Sequence, residues 1–261
     1  MLNYTEMAEV LAKDLRLKTL PLAVKFLPST DAFPAKTRRP AEVLQKRITI
    51  CQGVTLARVY GWTVGLTKTD LICVPAMLAF GFTPAPEPEK TLARLFCEVQ
   101  FSENPETAAV EASAMARLAQ GECAALVLTP LAKASVEPDT VVLYGNPAQV
   151  MRLIQAWTYV SGRRLSSDFG GKVECATYLI APFRHNAARV VIPGMGDRIF
   201  SMTQDDEMVF SLPGAALPEL LRGLKEAGGK IGARYPVTFY QNFQPEFPLP
   251  YQALAQELDL F

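Results

Sequence analysis

Net charge is what this sequence lacks first. Its 261 residues carry 26 Lys plus Arg against 26 Asp plus Glu. A dedicated nucleic-acid binder needs a concentrated positive surface, so the balance argues against that class and leaves room only for a local basic patch. Histidine is nearly absent, His185 being the single copy. Compact cysteine spacing is missing too. Cys51, Cys73, Cys97, Cys123 and Cys175 lie 22, 24, 26 and 52 positions apart. Zinc sites draw four sulfur or nitrogen ligands, often from a closely spaced cysteine pair, and no such pair exists here. An odd number of widely spread cysteines also fits no disulfide framework. No run reaches the ~18–20 apolar residues that a membrane-spanning helix needs. The longest candidate, 71–82, is too short and follows Lys68 and Asp70. Glu6, Glu9, Lys13, Asp14 and Arg16 interrupt the N-terminal stretch, which therefore does not read as a secretory leader. The expectation is a soluble, cytoplasmic protein without a membrane span, its cysteines free as thiols, ligands or reactive groups. The glycine fingerprints of nucleotide sites are absent as well. There is no Gly-Lys-Ser/Thr triplet, and Gly194 and Gly196 are followed by Ile199 where a dinucleotide motif needs its third glycine.

Material for a core is plentiful. Apolar residues make up 49% of the chain and charged residues 20%, which excludes wholesale disorder. Apolar spacing predicts helices over 4–17, 49–60, 106–118, 148–160 and 216–227. Short β-branched or aromatic runs predict strands over 22–27, 62–66, 123–128, 140–144, 189–192 and 208–212. Residues 71–80 and 174–180 read as further apolar segments, helical at 174–180, and 92–101 fits helix or strand. The Pro- and aromatic-rich stretch 235–251 reads as an extended strap. Strands alternating with helices indicate an α/β or α+β domain, a layered sheet with flanking helices. No linker divides it, so residues 1–261 read as a single domain.

Two segments echo each other. Val54-Thr55-Leu56-Ala57-Arg58, Trp62-Thr63 and Cys73 have counterparts in Val150-Met151-Arg152-Leu153-Ile154, Trp157-Thr158 and Cys175. The pattern suggests an internal pseudo-twofold duplication of halves 20–83 and 139–183. Coincidence between ordinary amphipathic segments is the alternative. Under duplication, Cys73 and Cys175 face each other across the axis, and Cys51 joins them.

These three cysteines carry the chemistry. Each falls at a predicted helix start, where unpaired N–H groups favour a thiolate, whereas Cys97 and Cys123 sit in apolar stretches and read as core. Three dispersed thiolates can hold an iron–sulfur cluster, or another soft metal, with one position left open. The expected role is redox chemistry or binding of a small anionic ligand, with Arg58 and Arg198 as its cationic contacts. Two alternatives stand beside this reading. One is a metal-free small-molecule binding or assembly protein with structural cysteines and no cofactor. The other is a thiol-dependent enzyme, for which His185 is the candidate base, although Phe183-Arg184-His185-Asn186 reads as an ordinary loop with a surface histidine. Whether the protein is an enzyme stays open. Association into a homo-oligomer is expected on general grounds.

Several short motifs, taken in order, resemble one family. They are Pro21-Leu22-Ala23-Val24, Cys51-Gln52-Gly53 with Ala57-Arg58 and Tyr60-Gly61, and Cys73. Asn146-Pro147-Ala148-Gln149, Cys175-Ala176, Gly196-Asp197-Arg198 and Asp205-Asp206-Glu207-Met208 follow. Over residues 20–225 the chain resembles the domain-of-unknown-function 169 family of bacteria and archaea. The resemblance implies one cysteine-bearing fold and supplies no activity. It also implies that some members carry a further cysteine before the late Gly-x-Arg segment, where this chain has Ile192, Pro193 and Met195.

Overall fold

The computed structural model describes residues 3–237 and 247–260. The strands are β1 (Leu22–Leu27), β2 (Val64–Leu66), β3 (Ala125–Pro130), β4 (Thr140–Gly145), β5 (Arg189–Val191) and β6 (Met208–Pro213). They form an antiparallel sheet in the order β2-β3-β1-β4-β6-β5. The helices are α1 (Tyr4–Leu15), α2 (Pro40–Val43), α3 (Ile50–Arg58), α4 (Val74–Ala79), α5 (Pro88–Glu98) and α6 (Pro105–Ala114). After them come α7 (Pro147–Ser161), α8 (Glu174–Leu179), α9 (Ala181–His185), α10 (Met195–Phe200), α11 (Leu217–Glu226) and α12 (Leu249–Glu257).

Central strands β3 and β4 are buried along their whole length. A sheet covered on both faces needs apolar residues on both, which is why these strands read as unbroken runs and not as an alternation. Successive side chains then enter different cores. Leu22 and Val24 join Ile50, Val54, Leu128 and Tyr178 on the face that carries α3, α4 and α8. Ala23 joins Leu11, Leu15, Leu153 and Leu220 on the face that carries α1, α7 and α11. Fully burying one such Leu is worth about 1.5–3 kcal/mol, so the stripe Leu217, Leu220 and Leu224 suffices to pin α11 to its face. A third cluster, Leu78, Leu92, Phe96, Ala108 and Ala112, docks the α5–α6 pair onto α4.

The observed architecture is the mixed, layered α/β arrangement that the sequence indicates. Individual elements differ. Residues 92–101 belong to α5, which starts at Pro88 and buries Leu92 and Phe96 against α6. The helix expected over 106–118 stops at Ala114, and Met115 is extended. The strap expected over 235–251 is replaced in part by helix α12, and its residues 238–246 lie outside the described residues. The two echoing segments are placed differently. Trp62 precedes β2, whereas Trp157 lies inside α7. Helix α3 packs on one face of the sheet and α7 on the other. A twofold perpendicular to the sheet between the antiparallel neighbours β1 and β4 would keep both helices on one face, so α3 and α7 are not counterparts under it. It does exchange β1 with β4, β3 with β6 and β2 with β5 in the strand order.

Candidate functional site

Four chain segments bring chemistry-bearing side chains to one pocket. Thr49 caps α3 through a reciprocal pair of bonds with Gln52 (Gln52 N–H to Thr49 Oγ1, 3.1 Å; Thr49 N–H to Gln52 Oε1, 2.8 Å). That cap fixes Cys51 in the first turn. Cys73 is itself the residue that leads into α4, with Pro75 in the first turn. Cys175 lies in the first turn of α8, which Glu174 opens after Val173, whose φ of 56° is unusual for a β-branched residue. Asp197 stands in the first turn of α10. Cys51, Cys73, Cys175, Glu174 and Asp197 all line a cavity of about 400 Å³.

A short glycine stretch closes the arrangement. Met195 N–H donates to the Gly171 carbonyl at 3.0 Å. A Cβ at Gly194 would stand 2.8 Å from that same carbonyl oxygen and 3.0 Å from Glu174 Cγ, so only glycine lets α10 approach the loop before α8. At Gly196 a Cβ would meet Cys51 Sγ at 3.8 Å. The backbone of α10 therefore lies directly against a thiol.

The electrostatics disfavour negative charge on the pocket floor. Contact with the Cys51 thiol pushes Cys175 well above the ordinary cysteine value, and burial and the neighbouring acidic groups add to it. Burial raises Cys73 against an opposing backbone hydrogen bond from Ala76. Burial also raises Asp197, although the Tyr178 hydroxyl, the Gly194 N–H, the Cys51 thiol and the Arg58 charge all favour its carboxylate. Tyr178 donates to Asp197 Oδ1 at 2.7 Å and Gly194 N–H to Oδ2 at 3.2 Å. Glu174 is raised by burial too, with the Thr177 hydroxyl and the Gly170 and Gly171 N–H groups opposing. Cys73, Cys175, Glu174 and Asp197 thus share a place that disfavours their ionising together. A bound soft cation would reverse that logic, because thiolates are its ligands and it supplies the missing positive charge.

The expected arginine contacts are elsewhere. Arg58 is buried and paired with Glu207 at 2.8 and 3.2 Å, its guanidinium 4.0 Å from the centroid of the Tyr144 ring. It underlies the site and does not line the pocket. Arg198 donates to the Gln204 carbonyl at 2.7 Å and approaches Asp205 at 3.8 Å, also away from the pocket. His185 lines separate cavities with Met115 and Ala116. Cys123 is buried and donates to the Ala125 carbonyl at 3.1 Å. Cys97 packs at the edge of the α5–α6 cluster. Sequence reasoning singled out Asp197 only as a partner for Arg198 or a turn cap, and missed Glu174 and Tyr178. Their signal was position: they flank Cys175 within one turn, and residues three apart on a helix share a face.

Among the described residues, no group of three His, Cys, Asp or Glu side chains is disposed to hold one metal ion. No helix there is long and apolar enough to cross a membrane. The family model for DUF169, described as uncharacterised ArCR, matches residues 10–223. A similar curated protein is the uncharacterized protein MJ0308 of Methanocaldococcus jannaschii, 27% identical over 208 residues that cover 79% of this chain and 85% of the relative. No solved structure matches.

Proposed function

This chain belongs to the DUF169 family, and we propose that Cys51, Cys73 and Cys175 hold a soft-metal centre, an iron–sulfur cluster before any other, in a redox role. One observation carries the reading: three cysteines from distant parts of the chain line a single pocket, while the other two do not. A cluster of several irons spreads its ligand sulfurs over a larger body than one ion does. Three thiols around a shared cavity without a common single-ion point fit that body better than they fit zinc. Three thiol ligands leave one cluster position for another group, and Asp197 is an oxygen donor on the same wall.

Two other expectations fare differently. A small anionic ligand gains little support, since Arg58 and Arg198 are committed elsewhere and the pocket carries Glu174 and Asp197. A catalytic thiol needs a depressed pKa, whereas burial and mutual contact push Cys73 and Cys175 up. The test is protein purified without oxygen, assayed for iron, acid-labile sulfide and visible absorbance. The expected result is bound iron and sulfide, with Cys51→Ser, Cys73→Ser and Cys175→Ser each lowering both and Cys97→Ser leaving them unchanged. Metal content indifferent to all three substitutions would overturn the proposal, and protein without iron or sulfide would leave a metal-free binding protein.

A further inference from the structure

We infer that the chain forms a twofold dimer through the apolar face around the mouth of the cysteine pocket, a second copy of itself being the occupant. The inference goes beyond the metal reading and does not depend on it.

The face is assembled from segments far apart in the sequence. Val99 and Phe101 stand at the C-terminal end of α5, and Met195, Ile199 and Phe200 belong to α10. All five line the pocket. Ile72 and Val74 flank Cys73 where it lines the same pocket. Met202 continues the face beyond Phe200, and the Tyr60 hydroxyl meets its sulfur at 3.7 Å. These nine side chains are each between 45% and 63% exposed.

Single exposed apolar side chains are ordinary on a protein surface, whereas a joined set is not. At about half of ~200 Å² apiece, nine of them present on the order of 800 Å². The largest apolar patch of a typical monomer is ~300–600 Å². One partner in a standard-size interface contributes ~800 Å². The face therefore exceeds what a monomer leaves in water and matches one side of a stable dimer.

Charge decides which partner fits. A twofold contact sets a surface against its own copy, so an exposed charge there meets the same sign. The charges that line this pocket are withdrawn from its mouth. Glu174 and Asp197 are each 1% exposed, and Lys172 is nearly buried and paired with Glu111. Arg198, beside Ile199 in α10, turns to the Gln204 carbonyl and to Asp205. A lipid surface is drawn by free Lys and Arg around an apolar face, and a charged protein by a patch of opposite sign. The mouth of the pocket offers neither, and a second copy needs neither.

The test is sedimentation velocity on the full chain from about 0.1 to about 100 μM, since interfaces of this size bind at micromolar or tighter. The expected species has twice the 28.6 kDa of one chain. Ile199→Asp in α10 and Val99→Asp at the end of α5 should each weaken the dimer about hundredfold or more. Both positions are exposed, so circular dichroism should not change. Tyr159→Asp, at an exposed position of α7 on the other face of the sheet, and Leu254→Asp on α12 should leave the dimer intact. A chain monomeric even at ~100 μM would overturn the inference. So would a dimer that both rim variants leave intact, or one that Tyr159→Asp or Leu254→Asp dissociates. Monomer that pellets with phosphatidylserine vesicles until Ile199→Asp is introduced would assign the face to lipid and overturn it too. A dimer of iron-free protein keeps this inference while the metal reading fails; iron in a chain monomeric throughout does the opposite.

Discussion

The Tyr178 hydroxyl donates to the Asp197 carboxylate across 2.7 Å, and the pair joins the sheet to the pocket. Tyr178 stands edge-on to Tyr144 of β4, ring centroids 6.1 Å apart. Asp197 is 1% exposed and lines the cavity beside Cys51. Desolvation holds Tyr178 well above the ordinary tyrosine value, so it stays a donor at neutral pH.

Removing that donor leaves Asp197 Oδ1 buried and unmet. Tyr178→Phe should cost about 1–3 kcal/mol in urea unfolding. In an Asp197→Asn background the same substitution should cost less, because the charged acceptor is gone. Equal costs in both backgrounds would show that the hydroxyl acts through something other than Asp197.

Gly194 sets the approach of α10 to the loop before α8. Gly194→Ala puts a Cβ 2.8 Å from a backbone oxygen, where neither side yields cheaply. A loss of about 1–3 kcal/mol is expected, together with reduced iron content if the pocket opens. Gly229→Ala is the matched control, since its Cβ meets nothing within 4 Å and its φ is not positive. It should be neutral or slightly stabilising. Thermal midpoints of the two variants decide the point.

How much of this was legible depends on whether the cause is local. The β3 and β4 runs announced themselves because both their faces are buried. The start of α3 was readable near Cys51 because Thr49 and Gln52 form a cap within four residues. The α5 wall was ambiguous because Leu92, Leu95 and Phe96 follow helical spacing while Cys97, Val99 and Phe101 alternate as a strand would. Pro88 and the packing of Phe96 and Ala108 decide it, and packing is not local. Arg58 and Arg198 read as ligand contacts because they stand beside cysteine and glycine motifs. The partner that occupies Arg58 lies 149 positions away, and only folding brings Glu207 to it.

That buried ion pair makes its own prediction. Arg58 and Glu207 are both nearly inaccessible, and Arg58 Nε has no partner. Arg58→Met or Glu207→Gln alone strands the other group and should cost about 3–5 kcal/mol. Replacing both, Arg58→Met with Glu207→Leu, should recover most of the loss. Arg58→Lys should not rescue, because an ammonium cannot make both bonds and lie flat over Tyr144. If the double variant retains its iron, Arg58 is a structural residue and not a ligand contact.

Cys123 gives a prediction in pH. Burial pushes its thiol up to about 12, against opposing backbone bonds from Leu27 and Ala125. In the unfolded chain the same thiol ionises near ~8.5. A group whose folded pKa is raised contributes stability that is complete below the unfolded value and is lost as pH climbs toward the folded one. Stability should therefore fall between those two values, and Cys123→Ala should remove this part of the slope while lowering stability at neutral pH. Urea midpoints from about pH 8 to about pH 10, for both proteins, measure it. The same burial predicts that iodoacetamide labels Cys123 slowly in the folded protein and quickly once it is unfolded. Parallel slopes, or fast labelling of the folded state, would mean that the Cys123 thiol meets water in solution.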